Sequence, residues 1–163
     1  MKRSGGFSLM EMMVVLVILG ILLSVAIPSY VVPLAKEQVD ESLELVDKLK
    51  DRVESYYISQ GKLPFKAEEA GLPPADKLLG NYLRGVEYQN GAFNLKFGNK
   101  AVPLLQDKVV TVRAIIVPGS PGSPMSWVCG YSPVPTGMQA GDHDHTTVPA
   151  KYLDVKCRDT SRK

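Results

Sequence analysis

One segment, 7–27, constrains this chain more than any other: it reads FSLMEMMVVLVILGILLSVAI, and its only charge is Glu11. A run of about 20 apolar residues is the length that an α-helix needs to cross a bilayer. Lys2 and Arg3 precede the run, whereas the next basic residue after it is Lys36. This bias predicts a membrane-inserted helix with its N-terminus in the cytoplasm and the rest of the chain outside.

Hydropathy alone also fits two simpler kinds of segment, a cleaved signal peptide and a plain signal anchor. A signal peptide has an apolar region of about 7–15 residues before a small-residue cleavage site, but this run is longer and continues into a helical pattern at 29–46. A plain anchor leaves Glu11 unexplained, because a carboxylate near mid-membrane depth costs roughly 3 kcal/mol and usually has a function. The alternative for Glu11 is a position near the interface, from which its carboxylate reaches water.

The position of Glu11 relative to Phe7 indicates what that function is. Glu11 lies four residues after Phe7, which is about one helical turn. Cleavage between Gly6 and Phe7 would place a new α-amino group close to this carboxylate. The amine and the carboxylate would then neutralise each other, most usefully between neighbouring subunits of an assembly.

These residues resemble the class III leader of type IV prepilins. The resemblance rests on a short basic leader that ends in Gly5-Gly6, then Phe7, then Glu11 as the fifth residue after the cut, then an unbroken apolar helix. In that family a membrane-bound prepilin peptidase cuts after the glycine and methylates the new N-terminal phenylalanine. The resemblance therefore implies cleavage after Gly6, N-methylation of Phe7, and pairing of Glu11 with an adjacent subunit's amine during assembly.

Gly20 and Pro28 also fall where pilin helices commonly carry a helix-loosening glycine and proline. Pro28 lacks a backbone N–H, so it is expected to kink or melt the helix there. Pro33 is less usual in the family and is expected to add a second bend.

Residues 34–60 have helical periodicity, which predicts an amphipathic continuation of the same helix. Apolar residues recur at three- or four-residue steps, with charged residues between them: Val39, Leu43, Val46, Leu49, Val53, and Tyr56 or Tyr57. Gly61 is expected to end the helix. One long helix thus has a first half that faces lipid or other subunits and a second half that packs on a soluble head.

The head is predicted to be a small antiparallel sheet. Segments 86–89 and 92–97 flank Asn90-Gly91, a strong signal for a two-residue hairpin turn. Further strands are expected at 109–117 and 126–131, and a short helix at 75–83. The predicted fold is therefore α+β, with the sheet laid on the helix stripe, and this is also the fold that the resemblance implies. The expected divisions are a cleaved leader at 1–6, a membrane or filament-core half-helix at 7–32, and a head at 33–163.

The two cysteines, Cys129 and Cys157, lie in the C-terminal third without a CxxC spacing that would favour zinc. On the oxidising side of a membrane a disulfide is favoured over two free thiols. It would contribute about 3–4 kcal/mol in the chain-entropy model. The phrases WVCGY and KYLDVKCR resemble the two flanks of the C-terminal disulfide loop of pilins, apart from Asp154, where many relatives carry proline.

Metal binding and enzymatic chemistry are not expected. The run Asp142-His143-Asp144-His145 holds both histidines, which are weak metal candidates because the run looks like a flexible loop tip. The sequence contains no GxSxG, Walker or GxGxxG motif, and no cofactor is expected. The remaining interpretation from another class is a membrane-anchored enzyme or metal-binding protein that uses the histidine loop.

Nucleic acid is not indicated as the main partner by the net charge. Removal of Lys2 and Arg3 with the leader lowers the Lys and Arg count from 19 to 17, which equals the 17 Asp and Glu residues. A DNA-binding pilin would need a basic stripe on the head. The candidates for it are Lys96, Lys100, Lys108, Arg113, Lys151, Lys156, Arg158, Arg162 and Lys163.

The expected function is that of a major type IV pilus subunit, held in the inner membrane as a single-pass precursor and then built into a surface filament. The expected partners are copies of itself, the prepilin peptidase, the inner-membrane assembly machinery, and membrane lipid before assembly. Adhesion, twitching motility or DNA uptake would belong to the whole fibre. The alternative is a minor pilin or a type II secretion pseudopilin. Glu11 argues against a tip pseudopilin, and the cysteine loop argues against the main one, which usually has a calcium-stabilised loop.

Overall fold

The computed structural model describes residues 6–159, apart from the side chains of 25–29. The predicted features at Lys2, Arg3, Gly5, Arg162 and Lys163 lie outside the described residues. A long helix comes first and an antiparallel sheet follows it, which is the predicted α+β fold. The elements are α1 (Leu9–Gln60), β1 (Leu83–Gln89), β2 (Ala92–Phe97), β3 (Val109–Ile116), β4 (Ser126–Cys129) and β5 (Gln139–Ala140), with 3-10 helices at Ala67–Ala70, Ala75–Lys77, Ala150–Tyr152 and Val155–Cys157.

Helix α1 begins and ends at recognisable caps. The Ser8 Oγ accepts a hydrogen bond from the Glu11 N–H at 3.3 Å, which satisfies one of the free amides of the first turn. Gly61 ends the helix with φ 69° and donates its N–H to the Tyr57 carbonyl, as predicted for a left-handed glycine cap. The helix is continuous through Pro28 and Pro33, so the predicted kink or melting stays a prediction.

Within residues 6–159, no helix combines the length and the apolar character that a membrane crossing requires.

The second half of α1 buries one stripe against the sheet. The buried residues of the stripe are each 8% exposed or less: Ala35, Val39, Leu43, Val46, Leu49, Val53 and Tyr57. Their three- and four-residue spacing keeps them on one face of the helix. Tyr57 is the aromatic residue of this stripe. The adjacent Tyr56 points elsewhere, and its hydroxyl donates to the Glu69 carboxylate.

The sheet has the order β1-β2-β3-β4, and β5 pairs with the end of β3. Asn90 and Gly91 both have positive φ, 42° and 80°, which confirms the predicted two-residue turn between β1 and β2. The Tyr88 hydroxyl accepts a hydrogen bond from the Gly91 N–H and donates one to the Pro64 carbonyl. Burial raises the pKa of the Tyr88 phenol, so this residue helps to fix the turn as a neutral side chain.

Several predicted bounds were wrong. Strand β1 begins at Leu83 rather than at 86, and β3 and β4 end at Ile116 and Cys129 rather than at 117 and 131. The short helix predicted at 75–83 is only the 3-10 turn Ala75–Lys77, because Leu83 already begins β1 and pairs with Phe97. A break in the strand register between Leu83 and Gly85 separates this pair from the rest of β1. Strand β4 ends at Cys129 because Gly130 turns the chain with φ 53°.

Strand β5 docks on the hairpin turn through Gly141. The Gly141 N–H donates to the Ala114 carbonyl of β3, and the Asn90 side-chain amide donates to the Gly141 carbonyl. A Cβ atom at Gly141 would lie 2.2 Å from the Asn90 carbonyl oxygen. The close approach of the two backbones therefore requires glycine at this position.

We expect Gly141→Ala to lower the free energy of unfolding of the head by about 1–3 kcal/mol, because the added methyl group must push backbone apart. The matched control is Gly122→Ala, where an added Cβ meets no atom within 4 Å and φ is not positive. That control should be neutral or stabilising by up to about 1 kcal/mol. Urea unfolding of the detergent-solubilised chain, followed by Trp127 fluorescence, would measure both. Equal midpoints for the two variants would contradict the close approach.

Candidate assembly site

The N-terminal part of α1 presents apolar side chains on all sides. Each large apolar residue from Phe7 to Leu23 is between 42% and 80% exposed. A helix that is apolar all round is stable only when its whole circumference is covered by protein or lipid. The head packs on one stripe of α1 from Val32 onward and leaves this part bare. The functional state must therefore supply another cover.

Glu11 is the only charged residue of α1 before Lys36. The spacing Ser8-x-x-Glu11 is that of a capping box, in which the glutamate side chain would return a hydrogen bond to the Ser8 N–H. Only half of the box forms: Ser8 Oγ accepts from the Glu11 N–H, and the Glu11 carboxylate has no hydrogen bond or ion pair within residues 6–159. The sequence interpretation missed this motif, although its spacing is visible. The carboxylate is thus free for a partner outside the chain.

The predicted cleavage bond lies in an accessible segment. Gly6 and Phe7 precede the helix, Phe7 is 78% exposed, and a Cβ atom at Gly6 would meet nothing within 4 Å. Ser8, which follows, is extended with φ −75° and ψ 148°. A peptidase has open access to such a segment.

Gly20 leaves a notch in the apolar surface of α1. A Cβ atom there would meet nothing within 4 Å, so the space is open to a neighbouring helix. Small residues let helix backbones approach closely where no water is present. Nearby, the Ser24 hydroxyl donates to the Ile21 carbonyl at 2.7 Å, which satisfies that polar group within the helix.

The predicted disulfide between Cys129 and Cys157 is confirmed, with a Cα–Cα distance of 4.7 Å. It closes a loop that also bonds to β3, because the Thr147 and Val148 N–H groups both donate to the Val109 carbonyl. Inside the loop, the Tyr131 hydroxyl donates to the Val148 carbonyl at 3.0 Å. Burial raises the pKa of the Tyr131 phenol. The bridge and these bonds hold the loop against the sheet.

The histidine loop does not assemble a metal site. Asp142 accepts from the His143 N–H, and Asp144 accepts from the Thr146 N–H, so both carboxylates cap local turns. His143 and His145 are exposed. Over the part of the chain that the structure describes, no group of three or more metal-ligating side chains is arranged to hold an ion.

Several residues of the suggested basic stripe have partners of their own. Lys96 pairs with Glu87 across the hairpin. Arg158 donates from Nε to the Leu153 carbonyl, and Arg113 reaches the Ser132 carbonyl at 3.5 Å. Lys96, Arg113 and Arg158 are therefore each engaged by a group of the head itself.

Comparison with known proteins gives the same division of the chain as the structure. A profile of the prokaryotic N-terminal methylation motif matches residues 1–27, and the profile named Pilin (bacterial filament) matches residues 35–158. The chain belongs to the bacterial pilin family. The motif thus covers the exposed apolar half of α1, and the family profile covers the head of this pilin.

Full-length relatives support the assignment. This pilin is 31% identical to a fimbrial protein of Neisseria meningitidis serogroup B, over 96% of this chain and 95% of that protein. It is 32% identical to the type IV major pilin protein PilE1 of Neisseria gonorrhoeae, over 96% of this chain and 88% of that protein. The fimbrial protein EcpC of Eikenella corrodens is 28% identical over 96% and 92% of the two chains. The family is one of structural subunits that polymerise into filaments.

We expect reduction of the Cys129–Cys157 bridge to lower the free energy of unfolding of the head by about 3–4 kcal/mol, because the bridge closes a loop with a sequence separation of 28. Urea unfolding with and without a thiol reductant would measure the loss. The variant with Cys129→Ser and Cys157→Ser should have the unfolding midpoint of the reduced protein, and the reductant should not change that midpoint. An unchanged midpoint on reduction would contradict a stabilising role for the bridge.

Proposed function

We propose that this pilin is the major structural subunit of a type IV pilus. One observation carries the proposal: an apolar helix, bare on all sides, holds a single unpaired carboxylate one turn after an accessible cleavage site. Relatives of matching length are type IV major pilins and fimbrial proteins, which favours a major subunit over a minor pilin or a pseudopilin.

The precursor lies in the inner membrane with residues 7–32 in lipid and Lys2 and Arg3 on the cytoplasmic side. The prepilin peptidase removes residues 1–6 and methylates the new N-terminal Phe7. The assembly machinery then moves the subunit from lipid into the base of the filament. There, α1 helices of neighbouring copies replace lipid as the cover of the apolar surface.

The hydrophobic effect contributes little to this transfer, because lipid tails cover the helix as well as protein does. Two other features must favour the filament. The notch at Gly20 lets helices pack closely, and Glu11 gains a positive partner, the α-amino group of an adjacent Phe7. Since an unpaired carboxylate at membrane depth costs roughly 3 kcal/mol, pairing it gives a subunit a reason to leave lipid for the filament.

The head has a structural role in this proposal. It folds outside the membrane, is locked by the Cys129–Cys157 bridge, and forms the outer surface of the fibre. Adhesion, twitching motility or DNA uptake would be properties of that fibre, carried by many heads at once.

Intact mass spectrometry of protein sheared from the cell surface tests the proposal as a whole. The expected result is an abundant species that starts at Phe7, one methyl group heavier and two hydrogens lighter than the bare reduced chain. The same mass present only in traces, or confined to membranes, would instead assign a minor pilin or pseudopilin. An uncut chain that starts at Met1 in its native host would overturn the proposal.

A second experiment isolates the carboxylate. Glu11→Gln keeps the shape of the side chain and removes its charge. We expect the filament yield to fall at least about 30-fold, because loss of one partner of a buried charge pair costs at least about 2 kcal/mol. Glu44→Gln is the matched control on the same helix, since Glu44 is exposed on the head. Membrane levels of the processed subunit should stay normal in both. Normal filament yield in Glu11→Gln would contradict the pairing.

A further inference from the structure

A cleft of about 190 Å³ lies between α1 and the edge strand β4. Its apolar lining includes Leu43 of α1 and Val112 of β3, which are both buried, and Trp127 of β4, which is half-buried. Two ammonium groups, those of Lys50 and Lys156, belong to the same lining. We call this site the Trp127 cleft. An apolar cavity of about 150 Å³ holds a benzene molecule, so the Trp127 cleft has room for one aromatic ring.

The two lysines of the Trp127 cleft differ in how they are paired. The Lys50 ammonium donates to the Asp47 carboxylate at 2.5 Å. Lys156 has a side chain that is 65% exposed, and its nearest carboxylate, that of Asp154, is 4.0 Å away, which is the outer limit of an ion pair. Lys156 is therefore the cation that remains available to a carboxylate from outside the chain. The occupant that fits the cleft has an aromatic ring and a carboxylate close together.

The position of the Trp127 cleft in the sheet indicates which part of a neighbouring copy faces it. Strands β1 and β4 are the two ends of the strand order. Because α1 covers one face of the sheet, the other face looks outward in the proposed filament, and the two sheet edges face neighbouring heads. Identical subunits of a helical filament meet through two different patches. The β4 edge of one head therefore meets the β1 edge of the next.

The segment 62–82, which connects α1 to β1, exposes two large apolar side chains. Phe65 and Leu79 are each 56% exposed, and only Phe65 is aromatic. Glu68 lies three residues after Phe65, its side chain is exposed, and it has no ion pair within residues 6–159. Phe65 and Glu68 thus supply the ring and the carboxylate that fit the Trp127 cleft.

The backbone holds Phe65 at the β1 edge of the sheet. Lys66 forms a bridge with Gln89, the last residue of β1. The Phe65 carbonyl accepts from the Asn90 N–H at 2.9 Å, and the Phe65 N–H donates to the Glu69 carboxylate at 2.9 Å. Both backbone groups of Phe65 are therefore bonded. Its exposed ring is presented from a fixed place, which lowers the entropy that docking would cost.

We propose that the Trp127 cleft binds Phe65 of a neighbouring copy, with the ring against Trp127 and the Glu68 carboxylate of that copy beside Lys156. This inference rests on the proposed function, because a filament is what brings the two edges of different heads together. The contact is made by the heads alone. It fixes how neighbouring heads are placed around the fibre, in addition to the docking of their helices.

Trp127 is the only tryptophan of the chain, so its fluorescence reports directly on the cleft. We expect acrylamide to quench Trp127 less in wild-type filaments than in the detergent-solubilised subunit, because the Phe65 ring covers it. Filaments of Phe65→Ala should lose this protection. Filaments of Leu79→Ala, the matched control, should keep it. Equal protection of Trp127 in Phe65→Ala and wild-type filaments would overturn the inference.

The same two variants differ in how well they assemble. We expect Phe65→Ala to lower the yield of sheared filament about two- to tenfold more than Leu79→Ala does, because only Phe65→Ala removes an aromatic pair from the contact between heads. Processing is checked in each variant by the mass of the membrane-bound chain. Equal yields for the two variants would count against the contact.

A charge exchange identifies the partner of Lys156. Glu68→Lys should lower the filament yield about two- to fivefold, because it places a like charge beside Lys156. Lys156→Glu in the same chain should restore the yield, whereas Lys100→Glu, at another exposed lysine of the head, should not. The three side chains are exposed, so the urea midpoint of the solubilised subunit should stay unchanged in every variant. Equal effects of the two lysine changes on Glu68→Lys would contradict the pairing.

Two patterns of results separate this inference from the proposal on which it rests. Abundant filaments of chains that start at Phe7, in which neither Phe65→Ala nor Glu68→Lys changes the yield or the protection of Trp127, would overturn the contact and leave the filament function in place. A native host whose sheared surface fraction contains no chain that starts at Phe7 would overturn both.

Discussion

The apolar half of α1 must be covered on every side, and the rest of the molecule depends on this constraint. The side chains from Phe7 to Leu23 face all directions, so no single packed face can bury them. The head does not supply the cover, because it packs on one stripe of the helix that begins at Val32. The apolar half of the helix therefore needs an apolar environment on every side, first lipid and then copies of the same helix. Its working form is therefore a polymer.

The core of the polymer is as apolar as lipid, so burial of apolar area alone does not favour transfer of a subunit from the membrane into the filament. The choice between membrane and filament then depends on the few features that lipid does not satisfy. Glu11 is the strongest of these, and the structure leaves its carboxylate free because Ser8 performs the capping of the first turn without it. The backbone amide of Glu11 thus serves the helix cap, and its side chain is left for the neighbouring subunit that we propose as its partner.

Local patterns predicted much of this molecule. The stripe at Val39, Leu43 and Val46, the turn at Asn90-Gly91 and the glycine cap at Gly61 each follow from spacing or from one residue's backbone preference. Strand β5 could not be predicted from the sequence, because the two residues Gln139–Ala140 are too few for an alternating pattern. Their place depends on the fit of Gly141 against the hairpin turn, a contact between segments about fifty residues apart. The docked Thr147 and Val148 were missed for the same reason.

We expect the two prolines, Pro28 and Pro33, to place a weak point between the two halves of the helix. Each lacks an amide hydrogen, so the carbonyl groups of Ser24 and Ser29 lose the donor that a regular α-helix would give them. Both positions lie after Leu23, which is 61% exposed, and before Ala35, the first residue that the head buries. We expect the junction to bend or unwind there without disturbing the first turns of α1 or the packed head. In the proposed filament, such a junction would let a subunit dock its N-terminus by local contacts while its head packs separately on the fibre surface.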